Sequence, residues 1–440
     1  MENNLWLDTI VKYAWDSRAR FFESEDIECE IRKLKKFEPH THVSCDIGKH
    51  FLAGVIAYGA DTNQRELMVR KLKVDEEIIP DLKCIIYKFD KNPHNLFRKL
   101  LNFFEEKWFE NKSFHLIGNR DFVVISPKIF GLAVQHSIKL HFLDGVEEVW
   151  VRLNPIKEEG KENEYFNEAI KACIDSEKWA KSFNNTFTKH EFRAGIVFSI
   201  NRKNVFGEFD NESKVNYKKQ ILKYLPEWIK NDRFKGLDFS GWEHQYSEID
   251  WNFIELCFNI VKENNKCCMI HLGEAGNNAV GRLKEDLRYN AECNNDLQPY
   301  IDEYIKIFDK YAEIMPVESH IGHAHILSLA RLYDSKIGKK AKTIIIPLPL
   351  KIKLENLIGR LADKKIILEP ILRNSDPNSK TNERAPCWDW LELKKRCDLI
   401  FCTDGVYRED FTDVQCLSSR LAIIANKNNL LTAAYHINRI

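Results

Sequence analysis

No run in this 440-residue chain approaches the roughly 18 apolar residues needed to cross a bilayer. Its opening, Met1-Glu2-Asn3-Asn4, lacks the basic and apolar regions of a secretory signal. The expectation is a cytoplasmic protein with no membrane partner. An excess of either charge is missing too. Lys and Arg together number 66, as do Asp and Glu, so no overall field draws the chain to a polyanion and any nucleic-acid or phosphate contact must be local. The 12 cysteines include no C-x-x-C pair and stand singly apart from Cys267-Cys268, which removes support for a zinc ribbon or a thioredoxin-like motif. Cys257, Cys267, Cys268 and Cys402 lie in apolar runs, as reduced buried thiols in a reducing compartment do. The sequence also lacks an internal repeat, a low-complexity tract and any composition shift that would mark a domain boundary.

What remains is an ordinary globular composition, 44% hydrophobic and 30% charged, with ample material for a core. Length allows either two average domains or one large α/β barrel with insertions. Residues 1–32 carry apolar positions at helical spacing (Leu5, Trp6, Ile10, Val11, Tyr13, Ala14) and read as an N-terminal helical arm. A short run, Leu34 to Glu38, reads as a first strand. It is followed by a helical insertion over about 50–130 that is broken near Pro80 and Pro93. Then strand-like runs alternate with amphipathic helices. The runs are Glu147 to Asn154, Arg193 to Asn201, Lys235 to Phe239, Cys267 to His271, Ile314 to Ser319, Ile366 to Glu369 and Asp398 to Thr403. Between several of them lie helical patterns at Tyr165 to Phe183, Lys214 to Lys230, Trp251 to Glu263 and Leu297 to Ala312. Eight such units predict an α/β fold, a (β/α)8 TIM barrel occupying residues 33–440 with inserted loops and helices. The run Thr343 to Leu350, interrupted by Pro347 and Pro349, is expected to be inserted or edge structure. Two polar stretches, Gly273 to Asp296 and Arg373 to Ala385, follow strand ends and are candidate lids.

The chemistry-bearing residues gather at the predicted strand ends. Glu38-Pro39-His40-Thr41-His42 places two histidines on one side of a strand, where they can share a metal ion. Downstream come His271 and Glu274 in Met269-Ile270-His271-Leu272-Gly273-Glu274, then His323 in Ile321-Gly322-His323-Ala324-His325, then Asp404 in Cys402-Thr403-Asp404-Gly405. Histidines and carboxylates converging at a barrel mouth are what a catalytic Zn²⁺ needs, with one position left open. His320 and His325 flank His323 and compete with it for the same role.

In order and spacing these motifs resemble the adenosine/AMP deaminase family of the metal-dependent amidohydrolases, which carries H-x-H, H-A-G-E, G-H-G and T-D-D along a (β/α)8 barrel. Glu148 to Pro155, Gly195 to Arg202 and Gly236 to Glu243 are similar to its second, third and fourth strand segments. The resemblance implies that His40, His42, His271 and Asp404 hold one Zn²⁺ per chain. It further implies that Glu274 protonates N1 of a purine, that His323 orients and deprotonates the attacking water, and that Gly241 approaches the purine. The implied activity is hydrolytic deamination of an adenine nucleoside or nucleotide to the inosine form plus ammonia.

The departures from the family pattern bear on substrate. Gly405 stands where the family has a second aspartate that contacts the purine, and Ser44 stands where adenosine deaminases place an aspartate used for the 5′-hydroxyl. Losing that carboxylate relieves repulsion against a 5′-phosphate. The stretch Ser44 to Leu52 is similar to an AMP deaminase segment ending K-H-L-L, in which Lys49 could meet a phosphate as a point charge; Arg373 is a second candidate for such a contact. An AMP- or dAMP-like substrate is therefore favoured, and a role in bacterial antiphage defence fits the departures. Two other functions stay open: an amidohydrolase acting on a different nucleobase or amide, and an inactive barrel that binds nucleotides or assembles with partners. Self-association into a homo-oligomer is left open as well.

Overall fold

The computed structural model describes residues 5–16, 37–43, 47–71, 79–110, 125–143, 145–183, 191–207, 210–241, 245–273, 297–324, 327, 348–370, 396–400 and 402. Eight strands hydrogen-bond side by side in chain order: β1 (Phe37–His42), β2 (Glu148–Leu153), β3 (Arg193–Asn201), β4 (Phe234–Ser240), β5 (Cys267–Leu272), β6 (His320–His323), β7 (Ile367–Glu369) and β8 (Asp398–Leu399). Neighbouring strands run parallel, and parallel neighbours need a crossover between them. Sequential parallel strands with helical crossovers are the (β/α)8 arrangement that the alternating sequence pattern predicts. The chain divides into two compact units, one running to Ile196 and one from Val197 to Cys402.

In the first unit, α1 (Leu5–Asp16) precedes β1. A helical stretch follows, comprising α2 (Lys49–Gly54), a π-helical turn (Val55–Gly59), α3 (Thr62–Lys71), α4 (Ile79–Phe89), α5 (Pro93–Glu110) and α6 (Pro127–Leu143). Ser126 caps α6 by accepting from the Ile129 N–H at 3.3 Å, with Pro127 in the first turn where a missing N–H costs nothing. Every residue from Ile129 to Phe142 is buried, as expected of a helix that is apolar on most faces. The buried Lys139 in that helix pairs with Asp8 of α1 and lies 4.9 Å from the Trp179 ring centroid in α7 (Glu162–Ser182). Burial lowers the Lys139 pKa against the raising effect of Asp8. This pair fastens α1 to the unit.

The boundary falls within β3, and the second unit holds its last residues and β4 to β8. Residues Ala194 to Ile200 are buried without alternation, the signature of a parallel strand covered on both faces. The helices are α8 (Arg202–Phe206), α9 (Asn211–Trp228), α10 (Trp251–Glu263), α11 (Leu297–Ile314) and α12 (Leu348–Asp363). Asp250 caps α10 by accepting from the Phe253 N–H at 3.1 Å and pairs with Lys218 of α9 at 2.6 Å. At the C-terminal end of α11, Lys364 donates to the carbonyls of Glu313 and Met315, where helix carbonyls lack partners of their own.

Three sequence expectations shift. The first strand runs on past Glu38, covering Phe37–His42, so the histidine pair is inside it; Leu34 to Lys36 lie outside the described residues. The apolar run Ile314 to Ser319 is not a strand: Ile314 completes the apolar face of α11, Pro316 ends the helix, and β6 begins at His320. A short apolar window reads equally as helix end or strand. Leu348 to Leu350 open α12, where Pro349 is tolerated in the first turn; Thr343 to Pro347 and both candidate lids beyond Gly273 lie outside the described residues.

Candidate metal centre

β1 carries a bulge. Glu38 pairs with Val149 and Thr41 with Val151, so Pro39 and His40 together oppose the single residue Trp150. The His40 ring is buried and His42 is half-buried, with ring centroids 5.4 Å apart and planes at 67°. Thr41, between them, has its hydroxyl 2.9 Å from Nε2 of His141 in α6.

In the second unit, Asp238 of β4 and His271 of β5 are both buried. Asp238 Oδ1 sits 2.9 Å from His271 Nδ1, and its Oδ2 accepts from the Ser199 hydroxyl of β3 at 2.8 Å. A carboxylate on Nδ1 fixes the proton there and leaves Nε2 as the electron-pair donor. His323 ends β6 with φ +66°, followed by Ala324 at φ +48°, and the Ala324 N–H donates to Leu272 O at 2.9 Å. Left-handed backbone at two successive non-glycine residues is strained, and such strain collects at functional sites. The turn brings the His323 ring to 5.1 Å from that of His271, centroid to centroid.

Arg202, buried at the start of α8, donates from Nη1 to His271 O at 2.7 Å and from Nη2 to Gly241 O. Gly241 has φ +84°, and a Cβ there would stand 2.8 Å from Asn201 Oδ1, the atom that caps α8 by accepting from the Lys203 N–H. Glycine at that position is required on both counts. Lys49, at the first turn of α2, has Nζ 3.3 Å from Glu105 Oε1 in α5.

Of the three histidines competing around Gly322, His323 faces His271, whereas Nδ1 of His320 lies 2.6 Å from Glu369 Oε1, both residues buried. His325 lies outside the described residues, as do Ser44, Glu274, Arg373, Asp404 and Gly405. Sequence reasoning did not single out Asp238, Arg202 or Glu38. The signal for Asp238 was present: a lone carboxylate inside the apolar run Gly236-Leu237-Asp238-Phe239 is rarely buried without a partner.

No family model and no curated protein matches the chain. Solved structures do. A zinc-bound amidohydrolase from Burkholderia ambifaria is 11% identical, with 95% of this chain and 93% of that one covered at a TM-score of 0.43. An ADAL–IMP complex is 14% identical, with coverage of 94% and 98% and a TM-score of 0.44. The Arabidopsis N6-mAMP deaminase MAPDA is 15% identical, with coverage of 93% and 99% and a TM-score of 0.42. Among the described residues no helix is long and apolar enough to cross a membrane.

Proposed function

We propose that this chain is a zinc-dependent hydrolase that removes the 6-amino group of an adenine nucleoside or nucleotide, releasing ammonia. The observation that carries the reading is the buried Asp238–His271 pair with the His323 ring beside it. The donor chemistry fits a metal: neutral imidazoles with one nitrogen anchored and the other presented are ordinary zinc ligands. His40, His42, His271 and Asp404 would hold Zn²⁺, which when bound supplies a Lewis acid that lowers the pKa of water toward about 7.

The remaining roles belong to the protein. Glu274, three residues beyond His271, gives a proton to ring N1, which withdraws electron density from C6 and readies it for attack. His323 orients the attacking water and takes its proton, a task suited to imidazole near neutral pH. Gly241, free of a Cβ, lets the purine approach the end of β4. Ser44, Lys49 and Gly405 set substrate preference, with Lys49 meeting a 5′-phosphate once its ion pair with Glu105 opens.

The test is ammonia release from adenosine, deoxyadenosine and their mono- and triphosphates, by wild type and Glu274→Ala, with zinc content determined on the same samples. Turnover of at least one substrate, lost in the variant with zinc retained, is expected. A zinc-loaded wild type inert toward the whole panel overturns the reading. In that case Gly405, standing where adenine recognition needs an aspartate, directs the search to other nucleobases and amides.

A further inference from the structure

The bulge in β1 falls at one of the proposed metal ligands, and its polar groups are met in an unusual way. Within the bulge, Pro39 has no N–H, so His40 supplies the only backbone donor. That N–H donates to the side chain of Glu38, at 3.0 Å from Oε1. The one carbonyl between them, Pro39 O, accepts from Nε of Arg152 on β2 at 3.4 Å. Glu38, His40 and Arg152 are all buried. Two charged side chains, one on each strand, thus meet backbone polar groups of the bulge.

Consider the chain without the Glu38 carboxylate. The His40 N–H would lose the acceptor it meets at 3.0 Å, and losing a hydrogen bond in the core is a cost that folded proteins avoid. The available relief is to slip the strand by one residue and restore the ladder. A one-residue slip moves every following side chain to the opposite face. Pro39 acts in the same direction as Glu38, because proline inside a strand is tolerated at bulges, where no ladder donor is lost.

We propose that Glu38 is a positioning residue that fixes the β1 bulge and so aims His40 at the metal, with Pro39 as its partner in sequence. The inference rests on the reading of His40 as a metal ligand. Glu38 itself need not touch the metal. What matters is the acceptor oxygen on its side chain, and an amide oxygen serves as well there.

The experiment measures the zinc dissociation constant by competition with a chromophoric chelator, and the visible spectrum of the Co²⁺-substituted protein, for wild type, Glu38→Gln, Glu38→Ala, Pro39→Ala and His40→Ala. Metal-free thermal unfolding is recorded for each. Glu38→Gln is expected to stay within about 3-fold of wild type, since it keeps the acceptor. Glu38→Ala and Pro39→Ala are expected to bind about 10- to 100-fold more weakly, the range for residues that orient a ligand, with an altered Co²⁺ spectrum. If the Glu38 charge mattered only for pairing in the core, Glu38→Gln and Glu38→Ala would lose metal-free stability alike and keep wild-type zinc affinity when folded. That result overturns the proposal. Should Glu38→Ala fail to fold, Pro39→Ala decides: wild-type affinity and spectrum in that variant overturn it equally. Wild type and His40→Ala binding zinc identically would instead strike the metal reading of His40 itself.

Discussion

Asp238 Oδ1 lies 2.9 Å from Nδ1 of His271, in a setting from which water is excluded around both side chains. The second carboxylate oxygen is held by Ser199 at 2.8 Å, so the acid cannot rotate away without breaking that bond as well. A carboxylate fixed in this way dictates which imidazole nitrogen carries the proton. It also holds the ring so that the other nitrogen presents its electron pair to a metal. Asp238→Ala is therefore expected to weaken zinc binding by about 10- to 100-fold. Asp238→Asn should fall between it and wild type, because an amide oxygen still accepts from Nδ1–H without the charge. Chelator competition measures both, and wild-type affinity in the alanine variant would remove Asp238 from the site.

Arg202 joins the ends of β4 and β5 by donating to Gly241 O and His271 O. Among the described residues its Nε is buried without a hydrogen-bond partner, a cost at which the residue is retained. The planar fork of a guanidinium reaches two carbonyls that a single ammonium cannot hold in the same geometry. Arg202→Lys should destabilise the protein by about 1–3 kcal/mol, the range for a buried acceptor left unmade, measured by urea unfolding. A loss within about 0.5 kcal/mol, the range for substitutions without structural consequence, would show that the carbonyls find other partners.

The strand order was legible because parallel strands covered on both faces leave continuous apolar runs, as Arg193 to Asn201 does, and amphipathic helices such as α10 declare themselves by spacing. Boundaries failed where one residue serves two descriptions. Ile314 is apolar for the sake of α11, and nothing local separates it from a strand opening. Of the candidate site residues, His271 and His323 stand out in motif order, and the structure brings their ring centroids to 5.1 Å. The bulge at Pro39 does not stand out there, because register is a property of two strands and only one is visible in a motif. Arg202 was hidden for a similar reason: its partners are backbone carbonyls, 39 and 69 residues away, which leave no trace in residue identity.

Two buried histidines give stability opposite pH limits. Burial disfavours a charge on His320, yet Cys267 and Glu369 outweigh it and raise its pKa to about 10. The folded state then binds a proton that the unfolded state releases near pH 6.5. This contribution is full below about 6.5 and is lost as pH rises toward 10. His50 behaves in reverse. Burial, followed by the adjacent Lys49 charge, pushes its pKa down to about 3, so its contribution is present above about 6.5 and lost as pH falls toward 3. In metal-free protein, Glu369→Gln should lower stability at neutral pH by about 3–5 kcal/mol, as breaking a buried pair does, and flatten the alkaline limb. His50→Leu should flatten the acid limb. Urea unfolding across the pH range reads both, and unchanged limbs would refute the assignments.

Lys49 and Glu105 offer a direct test of nucleotide against nucleoside preference. The ion pair spans 3.3 Å, with the lysine side chain 16% and the glutamate side chain 44% exposed. A half-exposed pair of this kind contributes about 0–1 kcal/mol, less than the roughly 1.5–3 kcal/mol of a hydrogen bond to a charged group. A 5′-phosphate reaching Lys49 would therefore displace Glu105 rather than be excluded by it. Glu105→Gln removes the competitor, and should lower KM for AMP by about 2- to 5-fold, equivalent to at most about 1 kcal/mol. Lys49→Met should raise it by about 10-fold or more, from the loss of that charged contact. Neither substitution should move KM for adenosine, which has no phosphate to meet. Parallel changes on both substrates would mean that the pair acts through the packing of α2 on α5, and Lys49 would lose its place in phosphate recognition.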